Sequence, residues 1–430
     1  MIRKKAEEFL RGYDPARLTY PERMRLLDEL SSALRDEEGV LRGAEGRCAL
    51  LLRRIEETGE ESVLREVHQE FTQLAWEEFQ EGRSVREVHR LLSLARDRLT
   101  QRLLRLVEEE LDSEGFGPPP SAYAWMAMGS DGRREQTLFT DQDNLLVYRY
   151  REEEGERLLA LQGRLRTSLL KGDIAERTHY GPKEALEDYY ELFAQRMVEK
   201  LEEIGIRKCK GGIMPVNEKW RGEIGEWKER IIGKIRHGKG PLGILDLIIM
   251  MDLRHVGGER GLGEELIAFF NDHIMDNRTM VEKMASAAIL MPVPLGLFRR
   301  FATERSGEGK GTIDVKLGGW GPLVFLVRLL AKRYRIPTTN TFERINGLEE
   351  REVLSASFSQ RLQEAFYTLM RLRIERQGEL MREGVVDGQD RVNPYRLPEP
   401  DQARLRDALR KVEALQKLAN EVFFSGGLWR

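Results

Sequence analysis

The apolar residues in the first quarter of the chain recur at the three- and four-residue spacing of amphipathic helices. Two capping boxes mark helix starts there, Thr19 with Glu22 and Ser84 with Glu87. After the second box a single apolar stripe continues through Val85, Val88, Leu92, Ala95, Leu99, Leu103 and Leu106. The Gly- and Pro-rich residues 115–120 then break the pattern. We therefore expect helices, and no strand, up to about residue 113.

Two short apolar runs follow, at residues 123–128 and 145–148, and runs of this length bounded by turn residues are typical of buried strands. From about residue 263 onward the spacing is helical again. Two further helical stripes consist of Tyr190, Phe193, Met197, Leu201 and Ile204, and of Leu405, Leu409, Val412, Leu415, Leu418 and Val422. Such stripes are either core or partner surface, and core is the commoner position. The pattern thus predicts a strand-containing segment between two helical regions.

The most informative polar segment lies between the two apolar runs. Gly129 and Ser130 follow the first run, where a residue without Cβ lets backbone N–H groups approach a phosphate and the serine hydroxyl can add a donor. Asp141 and Asp143 lie two residues apart in the second predicted strand, so the alternation of an extended chain presents both carboxylates on one face. Oxygen ligands of this kind suit Mg²⁺, which takes the rest of its shell from water and substrate phosphates. We interpret the segment as a metal half-site, against the alternative of a polar turn and a capped strand end.

Three basic residues are candidates for phosphate contacts. Arg133 follows the Gly-Ser turn, where its guanidinium fork can hold a triphosphate, or where it can simply pair with Glu135. Lys210 and Lys316 each lie near a glycine pair and can neutralise phosphate, with ordinary turn chemistry as the equal alternative.

Composition narrows the possible functions. A length of 430 residues predicts two or three domains, and 70 basic against 73 acidic residues provide no overall field to attract nucleic acid or anionic membrane. We therefore expect neither as a partner, which disfavours a template-bound polymerase. Two cysteines are too few for a disulfide framework, and apolar runs long enough for a membrane span or signal peptide are missing. These features favour a cytoplasmic location.

The motif Gly-Ser-x-Gly-Arg-x-Glu-Gln-x-Leu-x-Thr-Asp-Gln-Asp-Asn at residues 129–144 resembles the signature of the DNA polymerase beta nucleotidyltransferase superfamily. More closely, it is similar to the bacterial nucleotidyltransferases related to the PII-protein uridylyltransferase, which are often joined to CBS or cyclic-nucleotide-binding modules. Residues 209–214, 313–319 and 339–348 resemble three further segments of that family. The resemblance covers roughly residues 85–424, except for a charged helical stretch at about 152–171 that looks like an insertion.

This resemblance implies a helix-rich α+β fold, with a small mixed sheet flanked by helical regions. The expected domains are an N-terminal helical region (1–115), a nucleotidyltransferase domain (116–260) and a C-terminal helical substrate-binding domain (261–430). The apolar run at 247–251, followed by Asp252-Leu253-Arg254, is similar to the family's Asp-x-Arg strand. Asp252 would then be the third carboxylate, as a metal ligand or base, unless it merely caps a turn. The family motif also favours Arg133 as the phosphate-binding arginine.

The implied activity is the transfer of a nucleoside monophosphate from a nucleoside triphosphate to a hydroxyl, dependent on Mg²⁺ or Mn²⁺. The resemblance suggests a uridylyl- or adenylyltransferase whose acceptor is a signalling protein or a small molecule. Two alternatives remain open: a nucleotide-binding regulator with weak or no catalysis, and a helical adaptor with a relict site.

Overall fold

The computed structural model describes residues 19–82, 84–169, 180–307, 309–385 and 387–424. Within these ranges, no helix combines the length and the apolar character that crossing a lipid bilayer requires.

The chain begins with three helices, α1 (Tyr20–Glu57), α2 (Glu61–Gly82) and α3 (Val85–Ser113). The Ser84 side chain caps α3 by accepting a hydrogen bond from the amide of Glu87, as the capping box predicts. The stripe predicted for this helix is buried apart from the partly buried Leu106. The predicted helical region is thus confirmed from residue 19 onward, whereas residues 1–18 lie outside the described ranges.

A small mixed sheet follows, built from β1 (Tyr123–Ala127), β2 (Asn144–Tyr148), β3 (Arg221–Glu223) and β4 (Arg254–Gly258) in the order β3-β2-β1-β4. Strand β1 pairs antiparallel with β2 and β4, and β2 pairs parallel with β3. Every residue of β1 and β2 is buried, because helices cover both faces. The two predicted strands and the α+β class are confirmed.

Helices surround this sheet and then form the rest of the chain. Those near the sheet are α4 (Gly129–Gly132), α5 (Gly155–Ser168), α6 (Pro182–Glu203), α7 (Ile224–His237), α8 (Ile244–Met250) and α9 (Arg260–His273). The C-terminal helices are α10 (Arg278–Ile289), α11 (Gly321–Arg333), α12 (Thr341–Glu350), α13 (Ala356–Glu383) and α14 (Glu399–Phe424). A second, two-stranded sheet consists of β5 (Ile313–Asp314), which precedes α11, and β6 (Arg391–Val392), which precedes α14.

Helix α5 occupies most of the predicted insertion at 152–171, whose last two residues fall outside the described ranges. The helical stripes predicted from Tyr190 and from Leu405 lie on α6 and α14 and face the interior, so both are core. The buried apolar residues form one continuous cluster that includes α2, the sheet and α14.

The prediction of a strand at residues 247–251 is wrong. The run belongs to α8, which begins where Asp246 accepts a hydrogen bond from the amide of Gly243 (2.5 Å). A short apolar run fits a buried helix as well as a strand, and here the local cap decides between them. Strand β4 starts only at Arg254, so Asp252 lies in the turn between α8 and β4.

Helix α13 packs against the N-terminal helices at Gly378. A Cβ atom at this position would lie 2.2 Å from the nearest ring atom of Trp76 on α2. Because both groups are held in the core, neither can move without disturbing the contact between the two ends of the chain.

We expect Gly378→Ala to lower the free energy of unfolding by about 1–3 kcal/mol through overpacking, despite the better helix propensity of alanine. Gly163→Ala in α5 is the matched control, since nothing lies within 4 Å of a Cβ there. It should raise stability by roughly 0.5–1 kcal/mol. Urea denaturation of both variants measures the effects, and equal stabilisation by both would contradict the close packing of α13 on α2.

Candidate functional site

The Gly-Ser turn places Gly129 directly against Asp143. Strand β1 ends at Ala127, and the amide of Met128 donates to the carbonyl of Asp143 (2.9 Å). Gly129 has φ of +56°, and a Cβ there would lie 2.3 Å from a carboxylate oxygen of Asp143. Glycine is therefore required both by the backbone conformation and by the close approach. Ser130 is partly exposed beside it.

Asp141 and Asp143 share one face, as their spacing predicts, because the residue between them points into the core. Gln142 is fully buried and donates to the carbonyls of Val198 and Ile206 (3.2 and 2.9 Å). Both aspartates are partly exposed. Their placement within a strand is wrong, because β2 begins at Asn144 and the pair lies in the extended segment before it.

The surroundings of Asp143 make its carboxyl group a weak acid. Burial raises its pKa to about 6, and the nearby charge of Asp141 adds to this rise. A hydrogen bond with the Cys209 thiol and the positive charges of Arg133 and Lys316 act in the opposite direction. A divalent cation would relieve the same repulsion between the two carboxylates.

The two candidate lysines lie in different surroundings. Lys316 is exposed at the start of the turn before α11, and its charge lowers the pKa of Asp143, so it lies near the acidic pair. Lys210 has an 83% exposed side chain and pairs with Asp387 (3.1 Å). Its neighbour Cys209 contacts Asp143 instead. Sequence reasoning missed Cys209, although it begins the Cys-Lys-Gly-Gly segment that signalled this loop.

Arg133 is buried, with 5% of its surface exposed, and its guanidinium pairs with two carboxylates. Its Nε donates to Glu135 (2.6 Å) and its Nη1 donates to Asp252 (2.7 Å). This geometry favours the alternative of pairing with Glu135 over the predicted phosphate contact. The ion pair of Arg133 with Glu135 is buried, and Arg133 also pairs with the buried Asp252.

Asp252 is fully buried among three arginines. Besides Arg133, its carboxylate pairs with Arg328 of α11 (2.5 Å) and Arg344 of α12 (2.7 Å). Burial alone would raise the pKa of Asp252, but Arg328, Arg133 and Arg344 hold it below its usual value. Both oxygens are engaged, so the geometry argues against the metal-ligand or base role predicted for Asp252. The three arginines come from distant segments, so no local spacing in the sequence predicts that they surround Asp252.

The C-terminal helices also hold the signature turn through its backbone. The Thr339 hydroxyl donates to the carbonyl of Gly132 (2.7 Å) and the Asn340 amide donates to that of Arg133 (3.1 Å). The backbone N–H of Thr341 donates to Glu135 (2.6 Å). The start of α12 therefore fixes the loop that follows Ser130.

On the other side, Asp131 anchors the turn to the N-terminal helices and the sheet. Its buried carboxylate pairs with Arg254 of β4 (3.0 Å) and Arg96 of α3 (3.6 Å). Arg254 also forms two hydrogen bonds with Asp97 (2.8 and 2.9 Å). Sequence reasoning missed Arg96 and Asp97, which look like ordinary polar positions of a long helix.

Of the three predicted carboxylates, Asp141 and Asp143 remain partly exposed, and Asp141 pairs with Arg207 (3.3 Å). Among the described residues, no group of three or more His, Cys, Asp or Glu side chains is arranged to hold a metal ion. Two carboxylates fit Mg²⁺ or Mn²⁺, because these ions accept oxygen ligands and keep open positions for water and phosphate. They do not fit a closed structural zinc site, which requires four protein ligands.

We expect Asp252→Asn to lower the free energy of unfolding by about 3–5 kcal/mol, because it leaves three buried arginines without their shared counter-ion. The control Asp143→Asn should leave stability unchanged or raise it at neutral pH, because burial already disfavours the charged form of this carboxyl group. Chemical denaturation of both variants at neutral pH makes the comparison. A stable Asp252→Asn protein that had lost metal binding would restore the catalytic role.

Two family models match the chain. Residues 69–240 match the model described as "putative nucleotidyltransferase DUF294", which takes in α3, the Gly-Ser turn and both exposed aspartates. Residues 278–423 match the model described as "putative nucleotidyltransferase substrate binding domain", which takes in the C-terminal helices that supply Arg328 and Arg344. No curated protein matches the chain. The relation to the PII-protein uridylyltransferase and the association with CBS modules stay predictions. On these two matches, over residues 69–240 and 278–423, the chain belongs to the family described as "putative nucleotidyltransferase DUF294".

Proposed function

We propose that this protein transfers a nucleoside monophosphate from a nucleoside triphosphate to a hydroxyl group, with Mg²⁺ or Mn²⁺ bound by Asp141 and Asp143. The observation that carries the proposal is the contact of Gly129 with Asp143. It brings the Gly-Ser turn and the two partly exposed carboxylates to one place. Membership of the nucleotidyltransferase family supports the reaction class.

In the proposed reaction, different residues would bind the phosphates, offset their charge and hold the metal ion. Gly129 and Ser130 would receive the phosphates at a turn whose backbone can approach them closely. Lys316 would offset the negative charge of the triphosphate from the side of the C-terminal helices. When bound, the metal ion would stabilise the charge that develops on the transferred phosphate and on the pyrophosphate leaving group.

In the reaction, the acceptor oxygen forms a bond to the α-phosphorus as the bond to pyrophosphate breaks, and the proton of the acceptor hydroxyl passes to solvent water. Such a transfer requires positioning and charge stabilisation more than covalent participation by the protein. We propose a protein or small molecule as acceptor, and uridylyl or adenylyl as the transferred group. The near balance of 70 basic and 73 acidic residues is the reason for proposing neither nucleic acid nor membrane as a partner.

One observation favours a second candidate function. Asp252 is enclosed by arginines, so the open site contains two carboxylates rather than three. A site of this kind can bind a metal–nucleotide complex with little turnover. The protein would then be a nucleotide-binding regulator whose helices transmit occupancy to a partner.

The first test is calorimetric titration with each of the four ribonucleoside triphosphates in the presence of Mg²⁺. One triphosphate should bind in a metal-dependent manner, and Asp141→Ala with Asp143→Ala should weaken that binding by about 100-fold or more, since even outer-shell losses cost 10–100-fold. Asp407→Ala, which removes an exposed carboxylate of α14 that pairs with Lys411 (3.3 Å), is the control. Single-turnover release of pyrophosphate then distinguishes the enzyme from the regulator, and no binding of any triphosphate would refute both.

The two lysines provide a separate test of the binding mode. Lys316→Met should lower the affinity for the triphosphate about tenfold, because it removes one charge-assisted contact. Lys210→Met should change the affinity by less than about twofold, because that lysine is exposed and its interactions are screened. Isothermal titration of both variants measures this difference. Equal losses would mean that the triphosphate lies on the side of Cys209 instead.

A further inference from the structure

Arg207 lies beside the acidic pair and holds one of its two carboxylates. Its Nη2 atom is 3.3 Å from a carboxylate oxygen of Asp141, and the two side chains are 34% and 36% exposed. The proposed function assigns the same carboxylate to a divalent cation. Arg207 and the cation would therefore compete for Asp141, because two positive charges at one carboxylate repel each other at such short distances.

The backbone of Arg207 is fixed next to the acidic segment. Its carbonyl accepts a hydrogen bond from the amide of Gln142 (2.9 Å), and Arg207 and Asp141 form a parallel β-bridge. Gln142 is itself buried, and its side-chain amide donates to two backbone carbonyls. The ion pair can therefore open through its side chains alone, while the backbone stays in place.

The Arg207 side chain also has room to move. It borders a cavity of about 540 Å³ that is lined by residues of α2, α3 and the segment 136–140. Its guanidinium carbon lies 6.0 Å from the centre of the Phe139 ring, at the outer limit of a cation–π contact. A partly exposed ion pair is weak, so Arg207 can leave Asp141 at little cost once another anion is present.

Two other arginines near the signature turn lack this freedom. Arg96 and Arg133 pair with the buried carboxylates of Asp131 and Asp252, and both arginine side chains are at most 6% exposed. Arg207 differs from both, because its carboxylate partner is partly exposed and is a proposed ligand of the metal ion.

A triphosphate bound at the acidic pair would lie within reach of Arg207. The contact of Gly129 with Asp143 places the Gly-Ser turn at one end of the pair, and Arg207 contacts Asp141 at the other end. Each Mg–O bond is about 2 Å long, so two oxygen ligands of one ion lie within about 4 Å of each other. A phosphate oxygen that shares an ion with Asp141 would thus be close to the guanidinium. The planar fork of arginine suits phosphate, because it can donate two parallel hydrogen bonds.

We propose that Arg207 is a triphosphate-binding residue that exchanges partners when a metal–triphosphate complex binds. Asp141 passes from Arg207 to the cation, and Arg207 passes from Asp141 to a phosphate group. Each charge has a partner in both arrangements. A cation alone must displace Arg207, whereas the complex also brings the anion that replaces Asp141, so metal and triphosphate bind cooperatively. This inference rests on the proposed function and adds to it a residue that favours the complex over a free metal ion.

Two affinities test the exchange, and Arg207→Met should change them in opposite directions. Mn²⁺ alone, observed by electron paramagnetic resonance, should bind the variant severalfold more tightly, because the competitor for Asp141 is gone. The triphosphate that binds the wild-type protein with Mg²⁺ should bind the variant about tenfold more weakly, because a charge-assisted contact is lost. Isothermal titration measures this second affinity.

The matched control for charge is Lys208→Met. Lys208 carries the same charge on the next residue and pairs with Glu202 (2.6 Å). Its removal should change either affinity by less than about twofold, because exposed charges are screened. Arg207→Lys keeps the charge without the planar fork, so it should restore the weak Mn²⁺ binding but only part of the triphosphate affinity. Thermal unfolding of every variant identifies any loss of fold.

The possible failures are distinguishable. Triphosphate binding that Arg207→Met leaves unchanged, or Mn²⁺ binding that it fails to tighten, would overturn the exchange while leaving the proposed function intact. Equal effects of Arg207→Met and Lys208→Met would also overturn it, because they would reflect net charge alone. If no triphosphate binds the wild-type protein in a metal-dependent manner, the proposed function and this inference are both refuted.

Discussion

The carboxylate of Asp252 holds together segments that are far apart in the chain. It lies fully buried between Arg133 of the signature loop, Arg328 of α11 and Arg344 of α12. An isolated charge in such a position would be prohibitively costly, so each of the four groups is stable there only while the others are present. The C-terminal helices therefore cannot move away from the signature loop without exposing or unpairing several charges at once.

The ionic groups of this region fall into two sets with different roles. Arg133, Asp252 and Asp131 are buried and paired, and they hold the signature turn against the helices and the sheet. Asp141 and Asp143 are partly exposed. Buried, paired groups that support partly exposed carboxylates are the arrangement that precise positioning of a metal ion and a phosphate requires. Catalysis at such a site would depend on these buried residues for the position of the turn, although they would not contact the reacting groups.

Much of the fold could be predicted from local patterns. The stripes on α3, α6 and α14, the cap at Ser84 and the two apolar runs of β1 and β2 each depend on neighbouring residues, and all were predicted correctly. The run at residues 247–251 was not, because a helix cap outside the run determined its conformation. Short apolar segments carry too little periodicity to separate the two states.

The sequence by itself determined where the turn and the acidic pair lie, since Gly129 and the two-residue spacing of Asp141 and Asp143 act through backbone geometry alone. Only the tertiary structure decided which charged groups remain open. Arg133 and Asp252 look like functional residues in the sequence, yet partners from α11 and α12 enclose them. Burial and ion pairing depend on contacts between segments separated by scores of residues, and no local spacing encodes such contacts.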